Sequence, residues 1–232
     1  MKLPVDEIYL LTLCEKPERY ERMHKRIDYM GFDVKDFRVV KHPMSQKIID
    51  TMGYDLKGHG YSIKNGGVFN CTREEYTIIK SAYLRGLNTV AIIEDDCSFF
   101  KDKSVWEEYF NNLPEDWDIL RINCTRGNNL EQDIKSDFYW FKQTTQYIWG
   151  TCFYVLNRKG MKYMIDKIDK EYQPIDNPLA FPTDEVNIYL PKIELSLCLE
   201  DSFDSDIKPD SANDPEHILY KTIKRFKKED YI

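Results

Sequence analysis

The sequence predicts an α/β sandwich, a mostly parallel central sheet flanked by helices. Three observations lead there. Short apolar runs of strand length alternate with amphipathic helical stretches through most of the 232 residues. One of these runs, Thr89-Val90-Ala91-Ile92-Ile93, has the β-branched content of a central strand buried on both faces. It ends directly in Glu94-Asp95-Asp96, and ligands of open α/β sheets gather beyond the carboxyl ends of the strands. The length suits one core, and no composition shift marks a boundary, so 1–232 reads as a single domain.

Taken in order, Glu7 to Leu13 is a first buried strand. Pro17 opens a helix as a first-turn residue, Gly31 closes it, and Tyr20, Met23, Ile27 and Met30 form its apolar stripe. Asp36 to Val40 is a short second strand. Residues 41–67 carry Gly53, Gly58, Gly60, Gly66 and Gly67, a connection long enough to line a ligand cleft. Thr72-Arg73-Glu74-Glu75 reads as a capping box that starts a helix ending at Gly86, which gives Glu75 a capping role. After Thr89 to Glu94, Ser104-Val105-Trp106-Glu107 is a second capping box. Strands follow at 117–122, 138–141 and 150–156, with a polar loop over 123–137. Asn157 caps a helix bearing Met161, Met164, Ile165 and Ile168. Pro174, Pro178 and Pro182 predict an extended 171–182. Thr183-Asp184-Glu185 begins a short helix, 193–199 is the last strand, and Asp214-Pro215 starts a basic helix over about 214–228.

A net charge of −7 disfavours general affinity for nucleic acid or anionic membrane. The basic cluster Lys221, Lys224, Arg225, Lys227 and Lys228 allows at most peripheral membrane contact, and a solvated helix face explains it as well. Asp6 and Glu7 interrupt any leader-like run, and the expected location is cytoplasmic. Six cysteines are spread wide without a Cys-x-x-Cys pair and read as buried thiols. The four histidines have no zinc-type spacing. No Gly-Lys-Ser phosphate loop is present, which argues against an ATP site and against a nucleotidyltransferase.

Three adjacent carboxylates repel one another unless a cation, hydrogen bonds or water compensate. A hard divalent cation carrying a phosphorylated ligand would do so, and so would full solvation of an acidic turn. The motif alone leaves both readings open.

The order of several landmarks resembles glycosyltransferase family 25, which includes lipooligosaccharide and collagen galactosyltransferases. The family's strand ending in Ile-Asn-Leu, with a basic Pro-containing turn and an Arg, is matched by Leu11-Thr12-Leu13 through Pro17 and Arg19. Its Gly-Cys-Thr-x-Ser-His segment is matched in part by Asn70-Cys71-Thr72-Arg73-Glu74-Glu75. Its acidic motif is Ile93-Glu94-Asp95-Asp96, and its Gly-Thr-x-x-Tyr strand is Gly150-Thr151-Cys152-Phe153-Tyr154. Asn157-Arg158-Lys159-Gly160, Pro182-Thr183-Asp184 and Ser205-Asp206-Ile207 match its later elements. The departures are Thr12 for Asn, a second basic turn residue matched only by Lys16, and Glu74-Glu75 for Ser-His.

The resemblance implies a GT-A-like nucleotide-sugar fold and an inverting transfer of a hexose, with UDP-galactose the model donor. The acceptor is a hydroxyl on a glycan, a lipid-linked sugar or a protein, as in lipopolysaccharide biosynthesis. Mn²⁺ or Mg²⁺ would stabilise charge on the departing diphosphate. The implied metal ligands are Asp96 and Glu94. Donor contacts fall to Leu11, Thr12, Leu13, Arg19, Glu94, Asp95 and Asp206, with Asp95 alternatively turned back to organise its own turn. Inversion needs a base, and Asp184 is the candidate, with Glu185 as fallback. Trp149 and Thr151 are acceptor-side candidates, with Tyr147 a further aromatic that could stack on a sugar. The changed Glu74-Glu75 pair equally fits a family member that binds a nucleotide sugar or glycan without turning it over.

Overall fold

A computed structural model describes residues 3, 5–13, 17–31, 37–42, 66–123, 139–144, 148, 150–193, 195–197 and 232. Seven strands form the main sheet: β1 (Glu7–Leu13), β2 (Phe37–His42), β3 (Thr89–Glu94), β5 (Ile119–Arg121), β6 (Trp140–Lys142), β7 (Phe153–Asn157) and β8 (Ile188–Pro191). Their order is β2-β1-β3-β7-β5-β8-β6. A two-stranded sheet pairs β4 (Ser98–Phe99) with β9 (Ser196–Leu197). The helices are α1 (Pro17–Met30), α2 (Gly66–Leu84), α3 (Lys103–Asn111), α4 (Arg158–Lys170) and the short α5 (Asn177–Ala180).

Alternation along each strand sends side chains to two covered faces. On one face Ile8, Leu10, Ala91, Ile93 and Val155 pack with Met23 and Ile27 of α1 and Trp106 of α3. On the other, Tyr9, Leu11, Val90, Ile92 and Leu156 pack with Ile79 of α2 and Met161 and Met164 of α4. A strand covered on both faces has no polar side, which is why these runs read as continuous apolar stretches.

The sheet is mixed, which corrects the expectation of a mostly parallel one. β1 pairs parallel with β2 and β3, and β5 with β8, but β7 runs antiparallel to both β3 and β5, and β6 to β8. Strand direction leaves no trace in a run buried on both faces, so the residues could not specify it. One rim of the sheet therefore carries the carboxyl ends of β1, β3, β5 and β8 beside the amino ends of β7 and β6.

Several boundaries also differ. The Thr72–Glu75 stretch lies inside α2, which begins at Gly66. Thr72 uses its hydroxyl to accept from Ile175 N at 3.1 Å, so it ties two segments together and caps nothing. The cap of α3 is Asp102, whose carboxylate accepts from Ser104 N and Oγ, in place of the expected Ser104 box. Residues 171–182 contain α5, where Pro178 sits in the first turn and is tolerated because its missing N–H would have had no partner there. Residues 183–185 hold no helix, with bends at 184–186, and β8 follows as a strand the sequence reading passed over. Of the expected 193–199 strand, the described residues hold β9. Gly31 at φ 70° and Gly86 at φ 80° end α1 and α2 as expected, in a conformation that glycine adopts without a Cβ clash. The expected basic helix at 214–228 lies outside the described residues.

Candidate functional site

The last residue of β3, Glu94, and the turn Asp95-Asp96-Cys97 sit on the rim of carboxyl ends. Glu94 N donates to Cys152 O at 2.8 Å and Cys97 N to Glu94 O at 3.3 Å, so the amino end of β7 fixes the acidic turn. The three acids then go three ways.

Asp95 turns inward. It accepts from Thr12 Oγ1 at 2.6 Å, and its other oxygen lies 3.6 Å from Arg19 Nη1. Thr12, Arg19 and Asp95 are all buried, at 1%, 4% and 4% exposure. Of the two readings for Asp95, the structure realises the turn-organising one. Arg19, expected at the diphosphate, is buried against Asp95, a charge pair that locks β1 and α1 to the acidic turn. Leu11 is a core residue, so only its backbone faces the rim.

Glu94 is half-buried and faces α2. Cys71 Sγ lies 3.1 Å from Glu75 Oε1 and 3.9 Å from Glu94 Oε1. Glu75 is fully buried and accepts a short hydrogen bond from Tyr154 OH. Burial pushes Glu75 up to about 7, partly offset by the Tyr154 and Cys71 hydrogen bonds. Glu94 is pushed well above the usual carboxylate range by burial first, then by the charges of Asp96, Glu75, Asp95 and Asp176. Burial and the charges of Glu75 and Glu94 likewise raise the Cys71 thiol. Five carboxylates thus concentrate negative potential at one point of the rim.

Asp96 is half-buried, and its charge is the largest influence on Glu94 after burial. One of its oxygens and the sulfurs of Cys97 and Cys152 all lie within 4.8 Å of one another. Glu94 and Asp96 are therefore neighbours that each belong to a separate ligand trio, Glu94 with Cys71 and Glu75, Asp96 with Cys97 and Cys152.

Asp176 is the acid that sequence reasoning missed. Thr72 anchors Ile175 against α2, and the next residue brings its carboxylate into the field of Glu94, Glu75 and Cys71. The signal was present: Pro174-Ile175-Asp176 has the same Pro-x-Asp pattern as Pro182-Thr183-Asp184, eight residues earlier.

Asp184 and Glu185 are not at this rim. They are exposed and precede the amino end of β8, whose Ile188 is level with Ile119 and, through β7, with Val90. Glu185 pairs with Lys167 and lines a shallow groove of about 500 Å³ with Arg158, Lys159 and Lys162 at the start of α4. Val90 and Glu94 are four strand steps apart, roughly 13 Å at about 3.3 Å per residue. That separation places Asp184 and Glu185, the expected proton acceptors, away from the acidic turn. Thr151 is buried at 6% exposure beside Cys152. Trp149, Tyr147, Asp206 and the side chain of Leu13 lie outside the described residues.

Behind the rim, Arg121 is fully buried and donates through Nη1 to Ile148 O at 2.8 Å, Leu179 O at 2.9 Å and Gln143 Oε1 at 3.3 Å, and through Nη2 to Gly150 O at 2.6 Å. It clamps Ile148, Gly150 and α5 onto β5, close to Cys152 and the Asp176 segment.

No family model matches the chain. Its relatives by sequence are glycosyltransferase 25 family members. A probable inactive glycosyltransferase 25 family member 3 from Bos taurus is 26% identical over 198 residues, 79% of this chain and 33% of the relative. A glycosyltransferase 25 family member from Drosophila melanogaster is 28% identical over 140 residues, 57% of this chain and 21% of the relative. Procollagen galactosyltransferase 1-B from Xenopus laevis is 24% identical over 176 residues, 71% of this chain and 29% of the relative. The chain spans a third or less of the length of these relatives. Among solved structures, A197 from STIV overlays on 79% of the chain at 12% identity with a TM-score of 0.38, too low to bear on the fold. Among the described residues, no helix is long and apolar enough to cross a membrane.

Proposed function

We propose that this chain is a glycosyltransferase domain that moves a hexose from a UDP-linked donor to a hydroxyl with inversion. The observation that carries the reading is the placing of Glu94 and Asp96 at the carboxyl end of β3 with Asp176 close by, where burial first, and then the charges of Asp96, Glu75, Asp95 and Asp176, push Glu94 well above the usual carboxylate range. Such a field fits a divalent cation and a diphosphate, and the family of the relatives supplies the sugar chemistry. The name of the Xenopus relative favours galactose and a protein hydroxyl over a lipid-linked acceptor.

Glu94 and Asp96 would hold Mn²⁺ or Mg²⁺, whose chemistry is Lewis-acid stabilisation of the leaving diphosphate. Asp95 does not ligate: bonded to Thr12 and paired with Arg19, it sets the angle of the turn that presents its two neighbours. Asp176 is the acceptor-side proton acceptor in this reading. It is half-buried on the shared rim, whereas Glu75 is sealed in the core and out of reach of an acceptor. Glu75 instead orients Glu94 through Cys71 and holds β7 through Tyr154.

A UDP-sugar with Mn²⁺ at about 100 times its Kd raises the unfolding free energy by about 2.7 kcal/mol. The expected result is a rise in Tm that Asp96→Ala abolishes and Asp176→Asn retains. Asp176→Asn is expected to lower turnover by about 100-fold or more. If no nucleotide sugar shifts Tm with or without metal, the donor site is wrong. The names of the Bos taurus relative and its Mus musculus counterpart favour a second reading, donor binding without transfer. A Tm shift with no product from hydroxylated peptide or glycan acceptors selects it.

A further inference from the structure

We propose that Asp96, Cys97 and Cys152 form a binding site for a soft divalent cation of the Zn²⁺ class, separate from the carboxylate trio around Glu94. The three ligand atoms come from two chain segments that the backbone bonds Glu94 N to Cys152 O and Cys97 N to Glu94 O hold in register. Both segments are rigid: Cys97 is fully buried, and Cys152 directly precedes the fully buried strand residue Phe153. Donors within 4.8 Å of one another are close to what a tetrahedral ion asks for. With Zn–S near 2.3 Å and Zn–O near 2.1 Å, paired ligands lie about 3.6–3.8 Å apart, so side-chain rotations of roughly 1 Å close the site. Cys97 Sγ lies 3.0 Å from Cys152 O, so its sulfur already points across to the Cys152 segment.

The chemistry of the set is selective. Two thiolates favour Zn²⁺, Co²⁺ or Cd²⁺ and disfavour Mg²⁺. Binding converts two thiols to thiolates and releases two protons to the buffer. The Arg26 guanidinium, 2.8 Å from Cys97 O, lies beside the site and offsets part of the added negative charge. Three protein ligands leave a fourth position for water or a ligand oxygen. The trio of Cys71, Glu75 and Glu94 is the nearest rival, and it differs in having one sulfur where this one has two.

The test is Co²⁺ titration of the full chain, reduced with a non-thiol phosphine and with no nucleotide sugar present. That omission separates this inference from the donor reading, with which it shares only Asp96: a cobalt band without a donor-induced rise in Tm, or the reverse, tells the two apart. The expected result is one equivalent of Co²⁺ with an intense thiolate-to-cobalt band in the near ultraviolet and tetrahedral visible bands. Zn²⁺ displaces it stoichiometrically, and a hundredfold excess of Mg²⁺ does not. The band is lost in Cys152→Ser and in Cys97→Ser and is kept in Cys71→Ser. Cys152 is half-buried, so its serine variant keeps the test available if Cys97→Ser does not fold. Absence of the band, or its survival in Cys152→Ser, or its loss in Cys71→Ser, overturns the proposal.

Discussion

Glu7 and Glu75 are pulled in opposite directions by their surroundings, and the pH dependence of stability follows from both. Arg85 hydrogen-bonds Glu7, with Tyr9 and Arg38 adding to the same effect, and holds it at about 2. A depressed carboxylate contributes stability that is present above its ordinary value of 4.5 and lost as pH falls toward 2. Arg38 and Arg85 are well solvated, so that contribution is about 1–2 kcal/mol after screening. Glu75 is raised to about 7 by burial, so its stability is present below 4.5 and lost as pH rises through 7. Thermal unfolding as a function of pH should peak near the lower end of that interval. Glu7→Gln should remove the acid limb, and Glu75→Gln should shrink the neutral one, which Glu94 shares, while raising Tm above pH 7. A Glu75→Gln protein as pH-sensitive as the parent across 5 to 8 would contradict the assignment. Thr12 makes a related point. Its hydroxyl supplies a buried hydrogen bond to Asp95, and Thr12→Val keeps the shape but removes the donor. The expected loss is about 1–3 kcal/mol by urea unfolding, with any UDP-sugar shift reduced because the turn loosens.

At the scale of elements, the close approach of α4 to β5 decides how tightly the sheet is covered. A Cβ on Gly160 would stand 2.4 Å from the Asp118 carbonyl oxygen and 2.9 Å from Ile119 Cγ1. Backbone cannot yield as a flexible side chain would, so Gly160→Ala should destabilise by about 1–3 kcal/mol, measured by chemical unfolding. Asn157 and Asp118 surround this contact: Asn157 Oδ1 caps Gly160 N at 2.9 Å, and Asp118 Oδ2 accepts from Asn187 N at 2.9 Å and Lys159 Nζ at 2.8 Å. The helices and strands with strong periodicity were legible in the residues, β1, β3, α1 and α4 above all. α2 was read six residues short because the Thr72–Glu75 pattern imitates a cap while its side chains serve the tertiary structure. β8 was missed because four residues ending in proline, Ile188–Pro191, carry too little pattern to stand out.

For the whole molecule, Arg121 ties together the segments behind the rim. Its contacts reach residues 22, 27, 29 and 58 positions along the chain. Arg121→Met leaves those buried acceptors without their donor and should cost about 3 kcal/mol or more. A Tm within 2 °C of the parent would show that the clamp is dispensable. Sequence alone determined the α/β class, the buried first and third strands and the placing of an acidic turn at a carboxyl rim. Those features rest on local periodicity and on where a strand stops, both of which are written in consecutive residues. The tertiary structure decided the direction of β7, the inward turn of Asp95, the placing of Asp184 away from the acidic turn and the placing of Asp176 and Cys152 close to it. Each of these depends on which distant segment packs alongside, and side-chain burial and Coulomb fields between residues some 55 to 83 positions apart have no signature in a linear pattern.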